Sequence, residues 1–208
     1  MGQVLLIRHG QASFGTDDYD RLSAVGQEQA VALGRALAGL TPELVVHGEL
    51  RRQRETAEHA VAVAGWDAPV EVDPRWDEFE MVGSAARMAR SSLTDAREFQ
   101  AWYEAATDRW LAGEELEPGQ EPYAEFTART SGALAAVAEH GTAVVFTSGG
   151  PIASLSAGLL DGGQAAYRRL MPVMVNASIT KILVGRRGMS LVQFNGHDHL
   201  TREQVTYR

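Results

Sequence analysis

The sequence predicts an α/β fold, a three-layer α/β/α sandwich with a mostly parallel central sheet. Short apolar segments rich in β-branched residues alternate with longer segments of helical periodicity, as expected for helices that cover both faces of a sheet. The chain has 208 residues, of which 45% are hydrophobic and 22% charged. These are ordinary values for a globular protein, and we expect one domain over residues 1–208.

The predicted elements follow one another along the chain in this alternating order. The first strand, 3–7, has an apolar centre, which is typical of a parallel strand buried on both faces. Further strands are predicted at 43–47, 70–72 and 143–147, a terminal hairpin at 179–184 and 191–194, and helices at 23–37, 50–64, 84–112, 123–140 and after 148–150. Residues 84–122 are expected to form a helical cover over one end of the sheet.

Composition excludes several classes of function. A formal net charge of -8 argues against nucleic-acid binding, which needs a basic surface. The absence of cysteine removes disulfides, thiolate metal sites and a cysteine nucleophile. An Arg-His pair follows the first apolar segment too soon for a signal peptide, and no apolar stretch reaches the roughly 18–20 residues of a membrane span. We therefore expect a cytoplasmic protein without membrane or nucleic-acid partners.

Arg8, His9 and Gly10 follow the first predicted strand. Open α/β sheets bind ligands beyond the carboxyl ends of their strands, so these residues stand where a ligand is expected. An imidazole can attack phosphorus, a guanidinium can hold two phosphate oxygens, and a glycine permits close approach of the backbone. Taken alone, the tripeptide fits a hydrogen-bonded loop histidine beside a surface arginine equally well.

A wider pattern favours the chemical interpretation. Residues 5–12, Leu-Leu-Ile-Arg-His-Gly-Gln-Ala, followed by 22–30, Leu-Ser-Ala-Val-Gly-Gln-Glu-Gln-Ala, resemble the opening of the histidine phosphatase superfamily. This superfamily contains cofactor-dependent phosphoglycerate mutases, fructose-2,6-bisphosphatases and small broad-specificity phosphatases. The resemblance spans nearly the whole chain and implies a phosphoglycerate mutase-like sandwich. It also implies that His9 becomes transiently phosphorylated and that Arg8 binds the phosphate.

A second segment, 50–57, is similar to the family pattern Pro-Leu-x-Arg-Ala-x-Gln-Thr-Ala. In this alignment Arg52 is the second phosphate-binding arginine. It lies at the start of a predicted helix, where the helix dipole also favours anions. Arg51 and Arg54 fit a solvated basic helix face instead.

A departing alkoxide needs a proton, so a carboxylic acid is expected near the phosphate. Residues 75–79, Arg-Trp-Asp-Glu-Phe, look like the family segment Arg-Leu-x-Glu. The resemblance implies that Glu78 is the general acid and then the general base for water. Asp77 is the second candidate for this role.

The fourth motif departs from the family. Most active members follow the fourth strand with Ser-His-Gly-Gly, whereas residues 147–150 here are Thr-Ser-Gly-Gly. Ser148 thus replaces a histidine that binds phosphate, and we expect Ser148 and Gly149 to contact the phosphate in its place. A hydroxyl carries no charge, and removal of one preorganised donor costs on the order of 10²–10³ in rate.

The remaining histidines give a weaker signal. His197 and His199 flank Asp198 near the end of the chain. This spacing raises the alternative of a metal site, but no third ligand is evident, and structural roles are favoured. His47 replaces a serine that is common in the family. The sequence therefore predicts neither a metal nor a cofactor.

These residues together predict a metal-independent phosphomonoesterase that acts through a phosphohistidine on a small phosphorylated substrate. Two alternatives stay open. Ser148 could leave a catalytically weak or inactive module that binds a phosphate ligand. The chain could instead be a phosphoglycerate mutase-type phosphotransferase, against which Gly15 counts, because mutase-like members have asparagine there. A homodimer is also left open.

Overall fold

A computed structural model describes residues 1–13, 20–79, 96–115 and 118–207. Its six-stranded sheet has the order β3-β2-β4-β1-β5-β6. The four strands from β3 to β1 pair in parallel, and β5 and β6 pair antiparallel. The predicted α/β class and mostly parallel sheet are confirmed. The strands are β1 Gly2–Arg8, β2 Leu44–His47, β3 Val70–Val72, β4 Thr142–Thr147, β5 Ile179–Gly185 and β6 Gly188–Gly196.

In the described part of the chain, helices lie between successive strands from β1 to β5. They are α1 Ala24–Leu37, α2 Arg51–Ala64, α3 Ala96–Leu111, α4 Tyr123–Val137, α5 Gly149–Leu159 and α6 Gly163–Leu170. Among the described residues, short 3₁₀ turns lie at Pro74–Trp76, Met171–Val173 and Arg202–Gln204. Ser23 caps α1, because its side chain accepts a hydrogen bond from the Gly26 amide. Among the described helices, none has the length and apolar character needed to cross a membrane.

Two cores lie on the two faces of the sheet, because alternate residues of each strand point to opposite faces. On one face, Leu5 and Ile7 of β1 pack with Val144 and Phe146 of β4 and with residues of α1 and α2. On the other face, neighbouring residues of the same strands pack against α4 and α5. The central strands are therefore covered on both sides, and their carboxyl ends are where a ligand is expected in an open α/β sheet.

The chain forms two compact units. The first unit, residues 1–78 and 130–208, contains the whole sheet. The second unit, residues 79–129, contains α3 and a cluster of Phe79, Trp110, Tyr123 and Phe126, in which the Phe79 and Trp110 rings stack at 4.2 Å. Residues 84–95 of the predicted cover helix lie outside the described residues. The single domain and the cover over the sheet stay predictions.

Candidate active site

The predicted site residues gather at one edge of the sheet. His9 directly follows β1, and its amide donates a hydrogen bond of 2.9 Å to the carbonyl oxygen of Thr147, the last residue of β4. Ser148 is the N-cap of α5 and Gly149 is its first residue. Arg52 lies in the first turn of α2. Two carboxyl strand ends and two helix N-termini thus meet here, as the parallel topology requires.

His9 is buried and neutral. Its Nδ1 lies 2.7 Å from the carbonyl oxygen of Gly10, and its Nε2 lies 3.1 Å from Nε of Arg52. A carbonyl only accepts and a guanidinium only donates, so Nδ1–H donates to Gly10 and Nε2 carries the lone pair. Burial, Arg52 and Arg8 lower the pKa of His9 well below its usual value, against the opposing effect of the Gly10 hydrogen bond. The lone pair on Nε2 is therefore present at neutral pH.

Arg52 lies between the imidazole and a carboxylate. Its Nε donates to His9 Nε2, and its Nη1 donates to Oδ1 of Asp20 at 2.5 Å. Only 12% of the Arg52 side chain is exposed, so water screens its charge poorly. The N-terminus of α2 adds partial positive charge at the same place. Positive charge is thus concentrated around the nitrogen that carries the lone pair.

Arg8, the last residue of β1, is held by main-chain carbonyl groups. Its Nη1 donates to the carbonyl oxygen of Met174, and its Nη2 donates to that of Tyr207 at 3.1 Å. A Cβ at Gly149 would lie 3.6 Å from Arg8 Nε, so the guanidinium lies beside the first residue of α5. The structure therefore fixes Arg8 next to the predicted phosphate turn, and its contact with phosphate stays a prediction.

Glu78 and Asp77 have different surroundings. Oε2 of Glu78 accepts a hydrogen bond of 3.0 Å from the amide of Gly150, in the first turn of α5. Oδ1 of Asp77 instead accepts from the amides of Glu49 and Leu50, at 2.8 and 3.3 Å. Asp77 thus holds the loop that leads into α2, while Glu78 lies beside the predicted phosphate turn. This geometry favours Glu78 over Asp77 as the proton donor.

Ser148 is completely buried. Its Oγ accepts a hydrogen bond of 2.8 Å from Nε2 of Gln53, and the same Nε2 lies 3.2 Å from the carbonyl oxygen of Trp76. The Trp76 carbonyl only accepts, so it fixes which end of the Gln53 amide faces Ser148. The Ser148 hydroxyl is therefore hydrogen-bonded to a residue in the first turn of α2. Its contact with phosphate stays a prediction.

The loop after His9 is fixed by side chains of α1 and α2. The amide of Gly10 donates to Oγ1 of Thr56 at 3.0 Å, and the amide of Gln11 donates to Oε1 of Gln29 at 2.8 Å. Thr56 and Gln29 are both fully buried. The loop thus has buried polar partners on both neighbouring helices, which hold the His9 backbone in place.

The model of the histidine phosphatase superfamily (branch 1) matches residues 4–197. The chain belongs to this superfamily. No curated protein matches the chain significantly. Among solved structures, the chain is similar to a mycobacterial glucosyl-3-phosphoglycerate phosphatase in complex with VO3, with 25% identity, a TM-score of 0.70, and coverage of 95% of this chain and 100% of that chain.

Two further structures share the fold at lower identity. A putative alpha-ribazole-5'-P phosphatase from Escherichia coli has 22% identity and a TM-score of 0.70, with coverage of 94% of this chain and 98% of that chain. Bacillus stearothermophilus YhfR has 19% identity and a TM-score of 0.75, with coverage of 96% and 99%. The predicted phosphoglycerate mutase-like sandwich is confirmed, and the superfamily supports phosphatase activity in general terms.

Two residues near the site were not predicted from the sequence. Gln53 stands where the superfamily pattern has alanine, and it contacts Ser148, which stands where the pattern has histidine. These paired departures could have signalled a contact. Asp20 gave no signal, because it ends an acidic stretch of sequence that resembles any solvated segment; residues 14–19 of that stretch lie outside the described residues.

The other histidines have main-chain partners. His197 Nδ1 lies 2.7 Å from the carbonyl oxygen of Asn195, and His199 Nε2 lies 3.1 Å from that of Ala177. In the described part of the chain, no three histidine, aspartate or glutamate side chains are arranged as a metal site. These contacts support structural roles for His197 and His199.

Proposed function

We propose that this member of the superfamily is a metal-independent phosphomonoesterase that uses His9 as its nucleophile. The phosphate of a small ester lies near Arg8, Arg52 and the turn formed by Ser148 and Gly149. His9 Nε2 attacks phosphorus in line, so that an N–P bond forms as the P–O bond to the leaving group breaks. Covalent catalysis divides one difficult displacement into two easier ones.

The observation that carries this proposal is the state of His9. Its Nδ1–H donates to the Gly10 carbonyl, and its lone-pair nitrogen lies against the guanidinium of Arg52. A nucleophile must be unprotonated, and the lowered pKa keeps the ring neutral. After attack, the positive phosphoimidazole can still donate its Nδ1 proton to the same carbonyl. The Gly10 hydrogen bond therefore supports the reactant and the intermediate alike.

Glu78 completes the proton transfers. It gives a proton to the departing oxygen in the first step and removes one from the attacking water in the second. Its Oε2 accepts a hydrogen bond from the Gly150 amide in the first turn of α5, so Glu78 lies beside the predicted phosphate turn. Arg8 and Arg52 supply the positive charge that stabilises the transferring phosphoryl group, so the mechanism needs no metal ion.

Rapid-mixing kinetics test this function. With excess p-nitrophenyl phosphate, we expect a burst of about one nitrophenolate per active site whenever the second step is the slower one. Alkaline quenching during the burst should leave one phosphoryl group on His9, found by peptide mass spectrometry. The experiment includes Glu78→Gln, which lacks the base for water; because nitrophenolate departs without needing a proton, His9 should still be phosphorylated in this variant and phosphohistidine should accumulate. Hydrolysis that leaves no phosphate on His9 in either protein would contradict the mechanism.

Ser148 makes an inactive phosphate-binding module the second candidate. Its hydroxyl is uncharged, completely buried and bonded to Gln53, so it cannot replace the charge of an imidazole. The phosphomonoesterase is preferred because a pure binding protein has no physical need for a neutral buried nucleophile or a proton donor. A chain that binds inorganic phosphate but hydrolyses no phosphomonoester would establish the second candidate.

Restoring the superfamily histidine is expected to require two substitutions. Ser148→His alone places an imidazole where the Gln53 amide lies, and such overpacking lowers the free energy of unfolding by about 1–3 kcal/mol. We expect it to leave kcat unchanged or lower it. Ser148→His with Gln53→Ala should raise kcat by about tenfold or more above wild type, because a charged donor is regained. Steady-state assays of both single variants and the double variant measure this coupling, and additive effects would show that the two positions are independent.

A further inference from the structure

Asp20 contacts the predicted phosphate-binding arginine. Its Oδ1 accepts a hydrogen bond of 2.5 Å from Nη1 of Arg52, and its Oδ2 accepts one of 2.7 Å from the main-chain amide of Arg51. Arg51 is the first residue of α2. One carboxylate therefore bridges a guanidinium and a helix N-terminal amide. The Asp20 side chain is 36% exposed, whereas that of Arg52 is 12% exposed.

The two donors that Asp20 uses are the donors that a phosphate group prefers. Guanidinium groups bind phosphate oxygens with charge-assisted hydrogen bonds, and helix N-terminal amides bind anions. The guanidinium that Asp20 occupies also touches the lone-pair nitrogen of His9, through Nε of Arg52. A phosphate placed for attack by His9 would compete with Asp20 for Arg52.

We propose that Asp20 sets the affinity threshold of the phosphate site, as an internal anion that occupies Arg52 until a phosphate dianion displaces it. The inference rests on the proposed function, because it concerns the same phosphate site. A carboxylate carries one negative charge, whereas a phosphate monoester carries about −1.5 to −2 at pH 7. Attraction to Arg52 therefore favours exchange for a monoester and disfavours exchange for a carboxylate or a phosphodiester, each with a single charge.

A purely supportive role for Asp20 makes the opposite prediction. If the carboxylate only held Arg52 in place, its loss would loosen the guanidinium and weaken phosphate binding. If Asp20 competes with phosphate, its loss strengthens phosphate binding. The sign of the change distinguishes the two roles.

Isothermal titration of the full chain with inorganic phosphate at pH 8 and low salt tests the proposal. Asp20→Asn keeps the shape of the side chain and removes its charge. We expect the phosphate dissociation constant to fall by about tenfold and the dissociation constant for a phosphodiester to fall as well, because both anions lose the same competitor for Arg52. An unchanged or higher dissociation constant for phosphate overturns the proposal.

Glu55→Gln is the matched control. Glu55 also accepts hydrogen bonds from one arginine and one main-chain amide, Arg51 Nε at 2.6 Å and the Leu22 amide at 2.8 Å. Its hydrogen bonds go to Arg51 and Leu22, and not to Arg52. Glu55→Gln changes the net charge by the same amount as Asp20→Asn. Because Glu55 does not bind Arg52, we expect the phosphate affinity of this variant to stay within about twofold of wild type. Equal tightening in both variants would mark a general charge effect and overturn the proposal.

A crystal structure of the unmodified chain with orthovanadate gives a second result that depends on no substitution. We expect the anion at Arg52 with the Asp20 carboxylate moved away; an anion bound beside His9 with Asp20 still on Arg52 Nη1 overturns the proposal. Phosphate binding requires no turnover. Tighter phosphate binding by Asp20→Asn, without any hydrolysis by wild type, would therefore support this inference and reject the proposed function. Hydrolysis by wild type with unchanged phosphate binding in Asp20→Asn would support the proposed function and reject this inference.

Discussion

Substitution of His9 by alanine is expected to lower kcat/KM for an aryl phosphate by at least about 10³-fold. The reason is chemical, because the variant loses the nitrogen that forms the bond to phosphorus, and only the binding groups can still stabilise the transition state. Each factor of ten corresponds to about 1.4 kcal/mol in the activation free energy. A steady-state assay with p-nitrophenyl phosphate measures the loss, and mass spectrometry should find no phosphoryl group on the variant.

His47→Ala is a closely matched control for this experiment. His47 lies at the end of the parallel strand β2 and, like His9, is 7% exposed. Its Nδ1 lies 2.6 Å from the carbonyl oxygen of the next residue, Gly48, as His9 Nδ1 lies close to that of Gly10. Both substitutions remove a buried imidazole and one hydrogen bond to a glycine carbonyl. They should therefore destabilise the fold by similar amounts, as thermal unfolding can show.

Activity should separate the two variants, because Arg52 contacts His9 Nε2. We expect His47→Ala to retain activity within about threefold of wild type, as is usual for substitutions away from the reacting atoms. Equal losses in both variants would show that His9 contributes to the scaffold and not to bond formation. Activity that survives in His9→Ala would reject the nucleophile.

The centre of the sheet was predictable because strands such as β2 and β4 are buried on both faces. The centre of Thr142–Thr147, Ala143 to Phe146, is an unbroken apolar run, and the prediction of 143–147 differs from the observed strand by one residue. Val70–Val72 was predicted with the same bounds, since Asp73 and Pro74 end it. Gly163–Leu170 was not predicted, because a helix of eight residues with Tyr167 as its buried residue has too few apolar positions to show a period.

The site was only partly predictable, for a different reason. His9, Arg52 and Glu78 lie in motifs of consecutive residues, whereas the contacts that surround them join residues far apart in the chain. Gln53 meets Ser148 across 95 positions, and Asp20 meets Arg52 across 32. In the sequence, a glutamine on a helix or an aspartate in a loop is typical of a solvated surface. Only the parallel topology, which brings the starts of α2 and α5 together, makes these residues part of the site.

The tight contact between the His9 loop and α1 leads to the second large expected effect. A Cβ at Gly26, in the first turn of α1, would lie 2.2 Å from the carbonyl oxygen of Gln11, and a Cβ at Gly10 would lie 2.5 Å from that of Gly26. Both clashes involve main-chain atoms, which cannot move aside as a flexible side chain does. The absence of side chains at these two glycines is therefore what allows the loop after His9 to rest on α1.

Gly26→Ala is expected to lower the free energy of unfolding by about 3 kcal/mol, because the overlap outweighs the roughly 1 kcal/mol that alanine adds in a helix. Gly132→Ala is the matched control, since Gly132 lies in α4 and its Cβ would have no neighbour within 4 Å. That substitution should stabilise the protein by up to about 1 kcal/mol. Denaturant unfolding measures both changes, and equal stability of the two variants would show that the loop is not held by this contact.

In Gly26→Ala the shift of Gln11 should also displace His9, and a displacement of about 1 Å is enough to lower kcat by about 10²-fold.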